Sequence, residues 1–94
     1  MIVKCKNCFP KEGIEVPVFS QTDKLRLSEM KLESAIRTVK CLMADYKVNH
    51  QDAKFIVTHI NVSYGKCNRC DFDKLDREYL NCPKCEALNF NWKI

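Results

Sequence analysis

Cys67-Asn68-Arg69-Cys70, eleven further residues, then Cys82-Pro83-Lys84-Cys85: two Cys-x-x-Cys pairs at this separation put four thiols within reach of one metal ion. Zinc takes four soft ligands in a tetrahedron, and two short knuckles at the open ends of a hairpin supply them. All four positions are cysteine, which leaves no coordination place for water or substrate. That is the pattern of a structural ion and not of a hydrolytic one. Left unliganded, four paired thiols would be open to oxidation with nothing gained. The expected ligands of one Zn²⁺ are therefore Cys67, Cys70, Cys82 and Cys85.

The residues around the knuckles read as a small sheet. Gly65 provides a turn into the first pair, and 71–81 would carry one strand out and back through Leu75, Tyr79 and Leu80. After Cys85, Leu88-Asn89-Phe90-Asn91-Trp92-Lys93-Ile94 alternates strictly, with four large apolar residues on one face, and predicts a strand. Phe90 and Trp92 would suit either a core face or a platform for stacked bases. The core reading is preferred, because the helices upstream need a cover. Asp71, Asp73 and Asp76 read as a solvated acidic turn.

Upstream the period changes to that of a helix. Leu32, Ala35, Ile36, Val39, Leu42, Met43 and Tyr46 recur at three- and four-residue steps and make one apolar stripe, with Ser28 as the expected N-cap. Leu25 and Leu27 leave an earlier start open. Asn49, with Asp52 three residues on, caps a second helix whose apolar face is Ala53, Ile56, Val57 and Ile60. Two helices joined by about four residues must fold back and bury their stripes together. Still earlier, Ile14, Val16 and Val18 alternate as a strand, demoted to an edge by Pro17, and Gly13 turns it back on Ile2-Val3-Lys4-Cys5. The expected architecture is α+β, one domain over 1–94. It comprises an N-terminal cysteine hairpin (1–19), an antiparallel helix pair (28–60) and a zinc-bearing segment with short antiparallel hairpins (62–94).

Ninety-four residues leave no room for two independent cores. No apolar run approaches the length of a membrane span, and Met1-Ile2-Val3-Lys4-Cys5-Lys6 does not read as a signal peptide. Seven cysteines, six of them in Cys-x-x-Cys pairs, fit metal binding in a reducing compartment better than a disulfide framework, so a cytoplasmic location is expected. The formal charge is +4, but four thiolates on one Zn²⁺ would reduce it to about +2. Basic and acidic residues are interspersed, without the basic block of a nucleic-acid footprint.

The other polar candidates read as follows. Cys5 and Cys8 are half of a second site, or share the zinc in place of a member of the C-terminal set, or carry no metal. A second site would need two more ligands from Cys41, His50 and His59. The two histidines lie nine positions apart, about 900° of helix and about 13 Å of rise, and so face opposite ways. Cys41 reads as a small buried hydrophobe and the histidines as surface or capping groups. A redox role for Cys5/Cys8 would need a helix N-terminus behind the pair, where Phe9-Pro10 and a strand stand instead. With Gly13 and Gly65 the only glycines, no phosphate-cradling loop can be built, and no set of catalytic residues is visible.

The segment 62–94 resembles the zinc-ribbon family, in which two knuckles at the ends of a small sheet clamp one structural zinc. The matching residues are Cys67, Cys70, Cys82 and Cys85. Many such knuckles place Gly after the second cysteine; here Asp71 and Glu86 stand there, and Glu86 is the less suited to a left-handed backbone. Ala35-Ile36-Arg37-Thr38-Val39-Lys40 followed by Asp52-Ala53-Lys54-Phe55-Ile56-Val57 resembles the helix-turn-helix of the ribosomal stalk protein C-terminal domain, which implies a surface for protein partners. The expected function is a non-catalytic, zinc-stabilised adaptor for a protein or nucleoprotein, without a small-molecule substrate. Two alternatives stay open. One is metal delivery, since the ribbon also resembles the zinc domain of nickel hydrogenase-maturation chaperones, although Met1-Ile2-Val3 replaces that family's Met-His-Glu end. The other is nucleic-acid binding.

Overall fold

The computed structural model describes residues 1–6, 11–61 and 63–93. Along the chain run β1 (Ile2–Val3), β2 (Ile14–Glu15), α1 (Gln21–Glu33), α2 (Ala35–Tyr46), α3 (His50–His59), β3 (Tyr79–Asn81) and β4 (Leu88–Phe90). The class is α+β. β1 pairs antiparallel with β2, and β3 with β4, in two separate sheets. None of the described helices is long and apolar enough to cross a membrane.

The N-terminal hairpin turns where expected. Gly13 has φ +86°, and a Cβ there would stand 2.3 Å from the Val3 carbonyl oxygen, so only glycine lets the strands close. Ile14 and Val16 are buried, but Val18, expected on the same face, is 88% exposed. Pro17 between them ends the alternation.

The helical region differs from the expected pair. The described residues form three helices, because Ser34 breaks the first one. Its backbone is extended (φ −160°, ψ 113°), its amide closes α1 onto Met30, and its hydroxyl accepts from the Arg37 amide to open α2. Ser20, and not Ser28, caps α1 by accepting from the Asp23 amide at 3.1 Å. Ser28 sits mid-helix, with its buried hydroxyl unpartnered among the described residues. The break also divides the apolar stripe. Leu32 and Ile36 are 65% and 71% exposed, while Leu27, Thr38 and Leu42 face inward. α3 follows its reading closely: Asn49 accepts from the Asp52 amide at 2.8 Å, and Ala53, Ile56, Val57 and Ile60 are all buried.

The larger apolar cluster joins β1, β2, all three helices and β4. Phe90 and Trp92 are core and not a stacking surface. Phe90 is fully buried, and Trp92 meets Phe19 edge-on at 5.5 Å and donates to the Tyr79 hydroxyl at 2.9 Å. Each large apolar side chain buried in this way contributes roughly 1.5–3 kcal/mol. The ladder is shorter than the sequence pattern implied: β3 and β4 have three residues each, in register Tyr79–Phe90, Leu80–Asn89 and Asn81–Leu88. The exit of α3 lies beside β4, through a parallel bridge between Ile60 and Phe90 and an Asn61 amide that donates to the Phe90 carbonyl at 3.0 Å. This contact joins the helical layer to the cysteine-rich end.

Candidate metal centre

The two knuckles are built alike. Cys67 N–H donates to the Phe72 carbonyl and Cys82 N–H to the Ala87 carbonyl, each five residues on and each at 2.8 Å. Within each loop the amide two residues past a cysteine points at its sulfur: Arg69 to Cys67 at 3.4 Å, Phe72 to Cys70 at 3.5 Å, and Lys84 to Cys82 at 3.4 Å. The Ala87 amide likewise bonds Cys85. Such N–H···S contacts spread the negative charge that thiolates would otherwise concentrate.

The knuckles face each other. Cys67 and Cys85 approach at 3.7 Å between sulfurs, Cys70 and Cys82 at 3.6 Å, and all four Sγ atoms lie within 4.8 Å of one another. A regular tetrahedron of sulfurs about 2.3 Å from a central ion has edges of about 3.8 Å. The chain thus brings together the four predicted ligands in a set that could hold a metal ion. Cys67 and Cys82, first in each knuckle, are buried; Cys70 and Cys85, second in each, are half-buried. Lys84 pairs with Asp71 across the two loops, so Asp71 is not merely part of a solvated turn. Glu86 does take the left-handed backbone that many knuckles assign to glycine, with φ +67°; Asp71 does not.

Electrostatically the four thiols are unequal. Burial, the largest single influence on Cys67, opposes its ionisation. It is outweighed by the amides of Cys70 and Arg69 with the Asn89 side chain and Cys85, which bring that thiol down to about 6. Burial drives Cys85 the other way, up to about 12. At Cys70 the Phe72 amide is the largest influence and favours the thiolate, but burial and the neighbouring sulfurs leave that thiol raised. Of Cys67, Cys70 and Cys85, one thiol is thus lowered and two are raised, as expected of like charges forced together.

The remaining candidates fall elsewhere. Cys5 is 2% exposed, within the larger apolar cluster and outside the four-sulfur group. Cys8 lies outside the described residues, so the reading of that pair as a second site rests on one placed sulfur. Cys41 is half-buried and not purely apolar in its surroundings: its thiol donates to Asp45 at 3.3 Å and lies 3.5 Å from the Arg26 guanidinium. His50 opens α3 at the surface. His59 is buried, contrary to its surface reading. Its Nδ1 lies 2.6 Å from the Phe55 carbonyl, which can only accept, so that nitrogen carries the proton. Burial pulls its pKa below the usual value.

Sequence reasoning missed four asparagines. Asn61, Asn89 and Asn91 are buried, and Asn68 sits inside the first knuckle. Asn91 accepts from the Gly65 amide at 2.7 Å and from Asn61 at 3.3 Å, and donates to the Arg77 carbonyl at 2.9 Å. Asn89 accepts from the Asn68 amide at 2.8 Å and donates to the Ala87 carbonyl at 3.0 Å and to the Cys67 sulfur at 3.5 Å. The Asn68 amide group reaches the His59 carbonyl, the Asn61 side chain and the Leu88 carbonyl at 3.0–3.2 Å. One signal was there to be read: Asn is depleted in strands, yet it fills both alternate positions between Leu88, Phe90 and Trp92. No family model, no curated protein sequence and no solved structure matches the chain.

Proposed function

We propose that this chain is a zinc-binding, non-catalytic adaptor: residues 62–94 form a zinc ribbon that stabilises the fold, and the helices present a docking surface to a protein partner. The observation that carries the zinc reading is the closure of four cysteine sulfurs, with no other ligand type, inside 4.8 Å. Sulfur-only tetrahedral sites suit Zn²⁺ or iron, and a full thiolate set leaves no open position for chemistry. Thiolate ligands also require a reducing compartment, in line with a cytoplasmic location. Native mass spectrometry of the purified chain should find one zinc, with Cys67, Cys70, Cys82 and Cys85 protected from alkylation. A chain that carries no ion, or one with the visible absorption of a ferric–thiolate centre, overturns this reading.

The partner reading rests on the groove between α2 and α3. Its wall includes Ile36, Val39, Met43 and Val57, and Ile36 and Met43 remain exposed. Lys40, Lys54 and His50 are its titratable lining residues, no carboxylate faces it, and neither lysine has an ion pair among the described residues. An apolar floor with a basic rim fits an amphipathic segment of another protein that carries acidic flanks. A fluorescent helical peptide with leucines at i, i+3, i+4 and i+7 and glutamates at its edges should bind and shift the amide resonances around Ile36 and Val57. Binding should weaken about tenfold or more in Ile36→Glu, a change at an exposed position that leaves the fold intact. Equal binding of a control peptide with lysines in place of the glutamates, competition by single-stranded nucleic acid, or self-association through this face would each remove the proposal.

A further inference from the structure

The sulfurs receive amide hydrogen bonds from their own knuckles, and Cys67 also receives a side chain from outside. Asn89 is fully buried, on β4, twenty-two residues from Cys67 in sequence. Its two ends do different things. The oxygen accepts from the Asn68 amide at 2.8 Å and so fixes the turn between Cys67 and Cys70. The nitrogen donates to the Cys67 sulfur at 3.5 Å while a second proton goes to the Ala87 carbonyl, which belongs to the other knuckle. A single amide thereby touches a ligand, the loop that carries it and the loop opposite. Neither aspartate, with no donor, nor leucine, with neither donor nor acceptor, can reproduce this set.

We infer that Asn89 is the positioning residue of the metal centre, and that its N–H···S bond shields the Cys67 thiolate and lowers its nucleophilicity. The inference rests on the zinc reading above and adds to it the residue that sets the site's asymmetry. A hydrogen bond to a coordinated thiolate withdraws charge from sulfur and holds its lone pair away from electrophiles. Outer partners of this kind are worth about 10- to 100-fold in metal affinity. Cys70 and Cys85, half-buried where Cys67 is buried, form the side of the centre that a reagent meets first.

The test uses the zinc-loaded full chain. Slow alkylation by iodoacetamide, mapped by mass spectrometry, should modify Cys67 late in the wild-type protein. In Asn89→Asp and Asn89→Leu, Cys67 should move earlier in the order, and zinc affinity in chelator competition should fall about tenfold or more. Asn91→Leu, a change of the same type on the same strand but without a sulfur contact, controls for fold loosening. It should speed all four cysteines together and leave their order unchanged. If both Asn89 variants fail to fold, the unmutated chain loaded with ¹¹³Cd decides: a scalar coupling should run from the Asn89 side-chain proton through Cys67 to the metal. An unchanged alkylation order in a folded Asn89 variant, or the absence of that coupling in the wild type, overturns the inference while one bound zinc still upholds the ribbon. Absence of any bound zinc overturns the ribbon itself.

Discussion

Removal of the ion by a tight chelator should abolish amide protection at Tyr79–Asn81 and Leu88–Phe90 and lower the melting temperature by tens of degrees, with both restored by added Zn²⁺. The argument begins with how little else holds that end of the chain. Among the described residues its own apolar cluster has four buried members, Cys67, Leu75, Leu80 and Cys82, and two of them are candidate ligands. Its sheet has three residues per strand. A structural zinc contributes about 10–16 kcal/mol in small thiolate domains, whereas the whole stability of a domain is about 5–15 kcal/mol. The loss should not stay local, because β4 also supplies Leu88 and Phe90, with Trp92 just beyond it, to the core beneath the helices. Hydrogen exchange and calorimetry, with and without chelator, make the measurement. A melting point and strand protection unmoved by complete metal removal would falsify the structural role assigned to the ion.

The second large effect is expected at Asn91. Replacement by leucine keeps the branched outline but strands the Gly65 N–H and the Arg77 carbonyl, both bonded to this side chain alone in the polar cluster described above. Each buried group left without a partner costs about 1–3 kcal/mol, so a loss of about 4 kcal/mol is expected. For a domain of this size, where 1 kcal/mol moves the midpoint by about 4–8 °C, that is a fall on the order of 20 °C. Asn91→Asp should also be destabilising: it can still accept from Gly65 but cannot donate to Arg77. Val18→Ala, at a position 88% exposed, should change stability by no more than a few tenths of a kcal/mol and serves as the control. Thermal melts of the zinc-loaded variants check this, and an Asn91→Leu midpoint within a few degrees of the wild type would show that water replaces the lost bonds.

What could be read from the sequence was what local chemistry decides. The four clustered sulfurs were legible because ligand spacing is fixed by the loop between the cysteines and needs no knowledge of the rest of the chain. The cap of α3 was legible for the same reason: Asn49 and Asp52 bond each other within one turn. The break at Ser34 was not. The apolar residues on either side continue the three- and four-residue rhythm, so periodicity alone runs straight through a corner. Only the capping bonds of Ser34, to Met30 on one side and Arg37 on the other, show that two helices meet there. The burial of His59 and of the asparagines depends on elements tens of residues away, and alternation correctly placed Asn89 and Asn91 on the other face of the strand without showing that this face is also covered. The left-handed turn at Glu86 was foreseeable from the knuckle pattern, since it follows from the loop and not from the fold.

The side chain of Asn68 has a consequence for how the two ends of the molecule communicate. It belongs to the loop that carries Cys67 and Cys70, yet it grips the last carbonyl of α3. Coupling between two sites is symmetric in free energy. If the proposed zinc binds there, whatever stabilises the end of the third helix should also raise metal affinity, and metal removal should loosen that helix end. Occupancy at one pole would then be felt at the other, through this side chain and the Ile60 and Asn61 contacts beside it.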